Sequence, residues 1–253
     1  MTSGPAELPV RRFLVTWRDG RSPPGIHDIG CLTASSDYAF SYLPGTGTAP
    51  GFRPLPGFGD LGASYHSPSL FLLFAARLMD RRRPDYQRYV EALDLADDHD
   101  ALDLLGRSEG VAKGDRLAVV EEPPVAADGS TCHVFVVRGL RFALPEPQWR
   151  GQVLAELERG TPLTVRSDVG NPVNPDALRL DGPGGQPVGW VPDALVPYVG
   201  AVTGGAAGEL LVRRRNGPDQ PPHLRLLAEV RGVLPDGMPS LPQLSVLRQF
   251  AAT

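Results

Sequence analysis

Glycine and proline interrupt this chain so often that it has no room for a long helix or a coiled coil. The 253 residues include 29 glycines and 27 prolines, about 22%, nearly twice the roughly 12% of average usage. Between the breaks lie apolar runs such as Leu70-Phe71-Leu72-Leu73-Phe74 and Val134-Phe135-Val136-Val137. Such runs are segments that can form a core, and they argue against disorder. The combination predicts a loop-rich, β-weighted α+β protein.

The punctuation also predicts the layout. Phe13-Leu14-Val15-Thr16-Trp17, Ile29-Gly30-Cys31-Leu32 and Tyr38-Ala39-Phe40-Ser41-Tyr42 read as short strands. Residues 44–62 hold four prolines and six glycines and read as a long loop. Ser67-Pro68-Ser69 is a candidate cap for a buried helix over 70–79, ending at Pro84. Tyr86, Tyr89, Val90 and Leu93 form an i, i+3, i+4, i+7 stripe, and 101–105 suggests a third short helix. The turn residues at 121–129 mark the most natural internal boundary. Beyond it, strands are expected at 132–138, 162–166, 177–180, 187–191, 209–215 and 223–231, with helices at 148–159 and 193–199. Short, evenly spaced strands of this kind suggest a small barrel or sandwich. The expected organisation is an α+β module over 10–124, a β-barrel over 131–233, and a proline-containing tail over 234–253 that either docks on the body or frays.

Charge and chemistry narrow the function. The formal net charge is −4, so any nucleic-acid site has to be a local patch. Lys113 is the one lysine; the other basic side chains are arginines, which grip phosphate in bidentate geometry. Cys31 and Cys132 lie far apart and no histidine pair has metal-ligand spacing, so neither zinc nor a disulfide is expected; both thiols are read as buried and reduced. No apolar run approaches the roughly 20 residues of a membrane span, and a cytoplasmic protein with no membrane partner is expected. Neither Gly45-Thr46-Gly47 nor Gly57-Phe58-Gly59 sits in a P-loop, and no nucleophile elbow or kinase signature occurs. Asp97, Asp98 and Asp100 lack the glycine and glutamate of a calcium loop and read as a solvated surface. A protein without catalysis or cofactor is the expectation.

Two arginine runs invite a phosphate reading. Arg81-Arg82-Arg83 at a helix end is explained by capping and solvation. Arg213 and Arg215 would share one strand face by alternation; they either follow a phosphate backbone or form a solvated edge that discourages strand pairing.

Residues 137–199 resemble HIRAN domains. Val137-Arg138-Gly139-Leu140-Arg141-Phe142 is similar to that family's opening strand, which commonly reads Gly-Leu-Arg-Tyr-Tyr. Gly160-Thr161-Pro162-Leu163-Thr164-Val165 follows its Gly-x-x-Leu-x-Leu strand. Asn171-Pro172-Val173-Asn174-Pro175-Asp176-Ala177-Leu178 resembles its Asn-Pro-Tyr-Asp-x-Asn-Ala-Ile signature, and Pro187 to Leu195 its closing strand-to-helix step. The resemblance implies a small barrel that captures single-stranded DNA or DNA ends. Its pocket would be built by Arg141 and Phe142 with Asn171 and Asn174 of the turn at 171–176, the arginine on phosphate and the ring against a base. Val173-Asn174 stands where the family has Tyr-Asp. Read from the residues alone, the same run is a turn whose amides satisfy local backbone donors.

The first half more diffusely resembles the N-terminal subdomain of HipA-type toxin kinases, through Phe13 to Trp17, Phe40-Ser41-Tyr42 and Leu104-Leu105-Gly106-Arg107-Ser108. That implies an interaction module, since no kinase core follows. The expected function is a non-catalytic DNA-binding or adaptor protein, in DNA repair or bacterial phage defence. The alternative is an antitoxin-like partner of a separate kinase or nuclease, with no affinity for DNA.

Overall fold

The computed structural model describes residues 10–245, apart from 112, 113 and 115. The chain is a mixed α+β protein with three antiparallel sheets. The first contains β1 (Arg11–Arg18), β2 (Ile26–Ala34), β3 (Tyr38–Tyr42) and β4 (Ser64–Ser67), ordered β4-β3-β2-β1. Helices α1 (Leu72–Ala75), α2 (Tyr86–Ala92) and α3 (Ala101–Ser108) follow, and β5 (Leu117–Glu121) then joins the sheet beside β1. β1 is buried along most of its length because the sheet is covered on both faces. Phe13, Val15 and Trp17 enter an aromatic core with Phe40, Phe58 and Phe74, while Leu14 enters the core of the second half.

The long loop at 44–62 is folded onto this core. Phe58 stacks against Phe40 with ring centroids 4.6 Å apart. The buried Tyr42 hydroxyl accepts from the Leu55 amide at 2.6 Å and donates to the Phe58 carbonyl at 2.8 Å, so it satisfies backbone groups that the loop could not pair itself. The helix expected over 70–79 is a single turn. β4 delivers the chain in extended form, and Phe71 and Phe74, three residues apart, both reach Phe58, while Leu72 is 83% exposed. Arg81-Arg82-Arg83 accordingly does not end a helix: Arg82 pairs with Asp80, Arg83 with Asp85, and Arg81 donates to the His99 carbonyl. Part of the acidic run has a structural task, since Asp100 and Asp103 form a reciprocal capping box at the start of α3.

The second half contains β6 (Ser130–Val136), α4 (Leu140–Ala143), α5 (Pro147–Ala155), β7 (Thr164–Ser167), β8 (Leu178–Asp181) and β9 (Pro187–Trp190). Helix α6 (Val196–Gly204) and strands β10 (Glu209–Arg215) and β11 (Leu226–Val233) complete it. The strands form two sheets, β10-β11-β6 and β7-β8-β9. Isolated bridges, Arg138 with Trp190 and Pro162 with Leu211, connect their margins. The segment expected as strand from residue 223 begins as a 3-10 turn, Pro222–Leu224. Tyr198 of α6 is buried between the sheets, its hydroxyl 2.8 Å from that of Thr131.

The two halves share their interior. Leu14, Cys31, Leu43 and Val120 of the first sheet pack with the core of the second half. On another side Tyr86, Val90, Leu93 and Leu104 pack on Val136, Leu224 and Leu227. Leu241 and Leu244 of the tail are fully buried; the tail's last residues, 246–253, lie outside the described residues. Among the described residues no helix is long and apolar enough to cross a membrane.

Candidate nucleic-acid interface

Gly139 determines how the chain leaves β6. Its φ is +70°, and a Cβ there would lie 2.6 Å from the Trp190 ring. Only glycine tolerates both conditions, so the backbone folds closely over the indole and turns into α4. Residues 137–142, expected as an opening strand, are therefore a bend followed by one helical turn. Within that turn Leu140 is buried, while Arg141 and Phe142 point outward. Phe142 is 69% exposed and the Arg141 guanidinium carbon lies 4.7 Å from its ring centroid. Arg141 makes no ion pair among the described residues.

Trp190 connects α4 to the Asn-Pro turn. Its Nε1 donates to Asp168 Oδ2 at 2.8 Å, and the same oxygen accepts from Asn171 Nδ2 at 3.2 Å. Asn171 Oδ1 accepts from the amides of Val173 and Asn174 at 3.0 and 3.2 Å. Asn174 Oδ1 accepts from the Asp176 amide, and its Nδ2 donates 2.8 Å to Asp193 Oδ1. Both asparagines thus act first as turn formers, tying the loop to β9 and the step after it. Arg141, Phe142, Asn171 and Asn174 are linked through Trp190 into one neighbourhood, with Val173 39% exposed at its margin.

Arg213 and Arg215 behave differently. The β10–β11 register shifts between Val212 and Arg214, and this irregularity breaks the alternation that would align the two side chains. Arg213 donates 2.5 Å to Asp94 Oδ2 and 2.9 Å to Glu229 Oε2. It is a neutralised strut between the two halves. Arg215, at the end of β10, is exposed and unpaired among the described residues. Sequence motifs did not point to Trp149 and Arg150 on α5, or to Arg225 beside the 3-10 turn. The available signal was an aromatic-basic pair in a helix without an apolar stripe, where only Leu154 is buried.

Other concavities offer less chemistry. A groove of about 790 Å³ in the first half is lined by Arg12, Thr33, Ser41, Thr46 and Ser64 among others. Its polar groups already serve one another: Arg12 pairs with Glu122, and the Ser41 and Ser64 hydroxyls lie 2.7 Å apart. A smaller cavity of about 320 Å³ between the halves is charge-balanced, with Arg11 bonded to Glu121 at 2.6 Å and Arg107 donating to the Leu93 carbonyl. His133 borders this cavity, and burial together with the charge of Arg107 holds its pKa down at about 3. The thiols are not alike: Cys31 is buried and Cys132 exposed, because their strands present them to opposite environments. Among the described residues no group of three or more His, Cys, Asp or Glu side chains is placed to hold a metal ion.

No family model, no curated protein and no solved structure matches the chain.

Proposed function

We propose that the protein is a non-catalytic binder of single-stranded DNA, engaging strand ends at the surface around α4. The observation behind this reading is the exposed Arg141–Phe142 stack, without a carboxylate partner, beside the Trp190-anchored Asn171–Asp176 turn. An exposed ring offers a base its π-face, and base–aromatic stacking is worth about 1–3 kcal/mol per base. A guanidinium lying over that ring can turn from it to a phosphate with two parallel hydrogen bonds. The resemblance of residues 137–199 to HIRAN domains supports the same reading. So do the bridges at Arg138–Trp190 and Pro162–Leu211, which suit a six-stranded barrel closing through β6, β9, β7 and β10. With Val173 in place of a tyrosine, one stacking partner is apolar contact only, so selectivity for base identity should be weak.

Titration of labelled single-stranded oligonucleotides, with free or blocked 3′ ends, tests the proposal at several salt concentrations. Binding should be strongest at low salt and weaken as salt rises. Arg141→Ala and Phe142→Ala should each weaken it at least tenfold, while Arg82→Ala, on an arginine already paired with Asp80, should change it less than twofold. Absence of affinity at low salt would remove the DNA reading and leave the adaptor one.

A further inference from the structure

We infer that a single strand held at α4 continues across a second subsite, with a base on Trp149 and backbone phosphates on Arg215 and Arg225; this rests on the DNA-binding reading above. Trp149 is 58% exposed on the first turn of α5, a large apolar ring left in solvent. Its position is defined by its neighbour. Arg150 reaches back to donate to the Leu144 carbonyl from Nε (3.0 Å) and Nη2 (2.7 Å), and to the Pro145 carbonyl at 3.1 Å. These bonds fasten the start of α5 to the end of α4, the turn that presents Phe142.

The basic side of the subsite comes from the end of the β10–β11 hairpin. Helix α4 packs against the 3-10 turn Pro222–Leu224, and Arg225 follows it directly. Arg225 Nε donates to the Asn216 carbonyl at 3.1 Å, and the Asn216 amide donates to the Arg225 carbonyl at 2.9 Å. That closure sets Arg225 beside Arg215. Burial, and then the charges of Arg150 and Arg215, push the Arg225 guanidinium below its usual pKa. Three like charges are therefore gathered with little to offset them. The carboxylate acting on Arg225 is Asp219, which is itself paired with Arg88. Glu146, on the rim, accepts from Gln148.

Many arginines elsewhere meet a carboxylate, among them Arg11, Arg12, Arg138, Arg179, Arg213 and Arg231, while Arg18 and Arg53 are exposed without one among the described residues but far from any exposed aromatic pair. Arginines left to repel one another beside two exposed aromatic rings have the composition of a single-strand track, in which cations follow the backbone and rings take successive bases. A protein partner would need a dense acidic patch to complement the same charges, and it would give the rings no planar bases to stack on.

The test compares oligothymidylates of three and ten nucleotides on the full chain, read by tryptophan fluorescence and by anisotropy of a 5′ label. The ten-mer should bind at least tenfold more tightly than the three-mer and quench the emission. In Trp149→Ala that quench should disappear and the ten-mer should approach the affinity of the three-mer. Arg215→Gln should lower the salt slope of ten-mer binding by about 0.7 while leaving the three-mer unchanged. Both side chains are exposed, so Trp149→Ala should keep the wild-type unfolding midpoint and Arg215→Gln should not lower it. Equal affinity for the two lengths, or a length advantage that survives both substitutions, overturns the second subsite but leaves α4 as the binding site. If neither length binds at any salt concentration, the DNA reading and this inference fall together.

Discussion

Replacing Gly189 with alanine should unfasten the two sheets of the second half at the point where the candidate site is assembled. Gly189 has φ +141°, and a Cβ there would lie 2.5 Å from the Arg138 carbonyl oxygen and 2.5 Å from Val137 Cγ1. Both neighbours belong to the segment leaving β6, and Arg138 and Trp190 exchange backbone hydrogen bonds of 2.9 and 2.8 Å across this contact. The added methyl cannot be accommodated by rotating a flexible side chain, because one of its neighbours is backbone. A backbone conformation disfavoured for L-residues costs about 1–2 kcal/mol, and overpacking a close contact a further 1–3 kcal/mol. The expected loss is therefore about 2–5 kcal/mol. Gly185, in the β8–β9 turn of the same hairpin, supplies the control: its φ is +76° and a methyl added there would meet nothing within 4 Å. Gly185→Ala should lose only the conformational part, about 1–2 kcal/mol. Urea unfolding followed by tryptophan emission measures both. If Gly189→Ala is no less stable than Gly185→Ala, the close approach does not hold the sheets together and the positioning of α4 needs another explanation.

Three further outcomes test separate parts of the structure. Arg213→Ala should reduce stability by about 1–2 kcal/mol, since it strands Glu229 and leaves Asp94 with only its longer contacts to Arg214 and Arg159, yet change oligonucleotide affinity less than twofold; a loss matching that of Arg141→Ala would place Arg213 in the binding site after all. In the native protein Cys132 should react with a thiol reagent at once, while Cys31, buried and pushed up to about 11, should react only on unfolding; two rapid equivalents would contradict the packing of β2. His133 has a folded-state pKa of about 3, below its unfolded value of roughly 6.5. Its contribution is complete above pH 6.5 and is lost as pH falls toward 3, so His133→Gln should flatten the stability profile in that window by roughly 1.4 kcal/mol per pH unit; parallel wild-type and variant profiles would show that the imidazole is not held neutral.

Strand positions were legible in the sequence where apolar residues clustered between turn residues. The alternation from Tyr38 to Tyr42 became β3, and the run at 209–215 became β10 with the expected limits. The helix expected over 70–79 was not legible, because periodicity cannot distinguish an apolar run that continues as a helix from one that lends two rings to a neighbouring core. Phe71 and Phe74 find Phe58 across a long gap in sequence, and that contact overrides local propensity. The turn at 171–176 announced itself through Asn and Pro, whose local hydrogen bonding is short-range chemistry. The path from Gly139 through Trp190 and Asp168 to Asn171 could not be read, since it depends on how two sheets meet. The bulge at Arg213 was hidden for the same reason: alternation assumes a regular ladder, and β10 departs from one by placing Arg213 between the residues that pair with Ala228 and Leu227.

The arginines show most clearly how folding turns composition into a functional signal. In the sequence the basic residues are almost uniform in type, and nothing separates Arg213 from Arg215 except two positions. Folding assigns Arg213 to Asp94 and Glu229, while Arg215 remains with Arg150 and Arg225 at the hairpin end. Among the described residues Arg18 and Arg53 are likewise exposed without a carboxylate in the first half, but only the second half combines such arginines with the exposed rings of Phe142 and Trp149. Like charges brought together are destabilising unless a counter-ion completes them. That gives a stability test independent of any oligonucleotide: raising salt from low concentration should stabilise wild type more than Arg215→Gln, because screening relieves repulsion that the variant has already lost. Equal salt responses would mean that the three guanidinium groups are too far apart to act as one site.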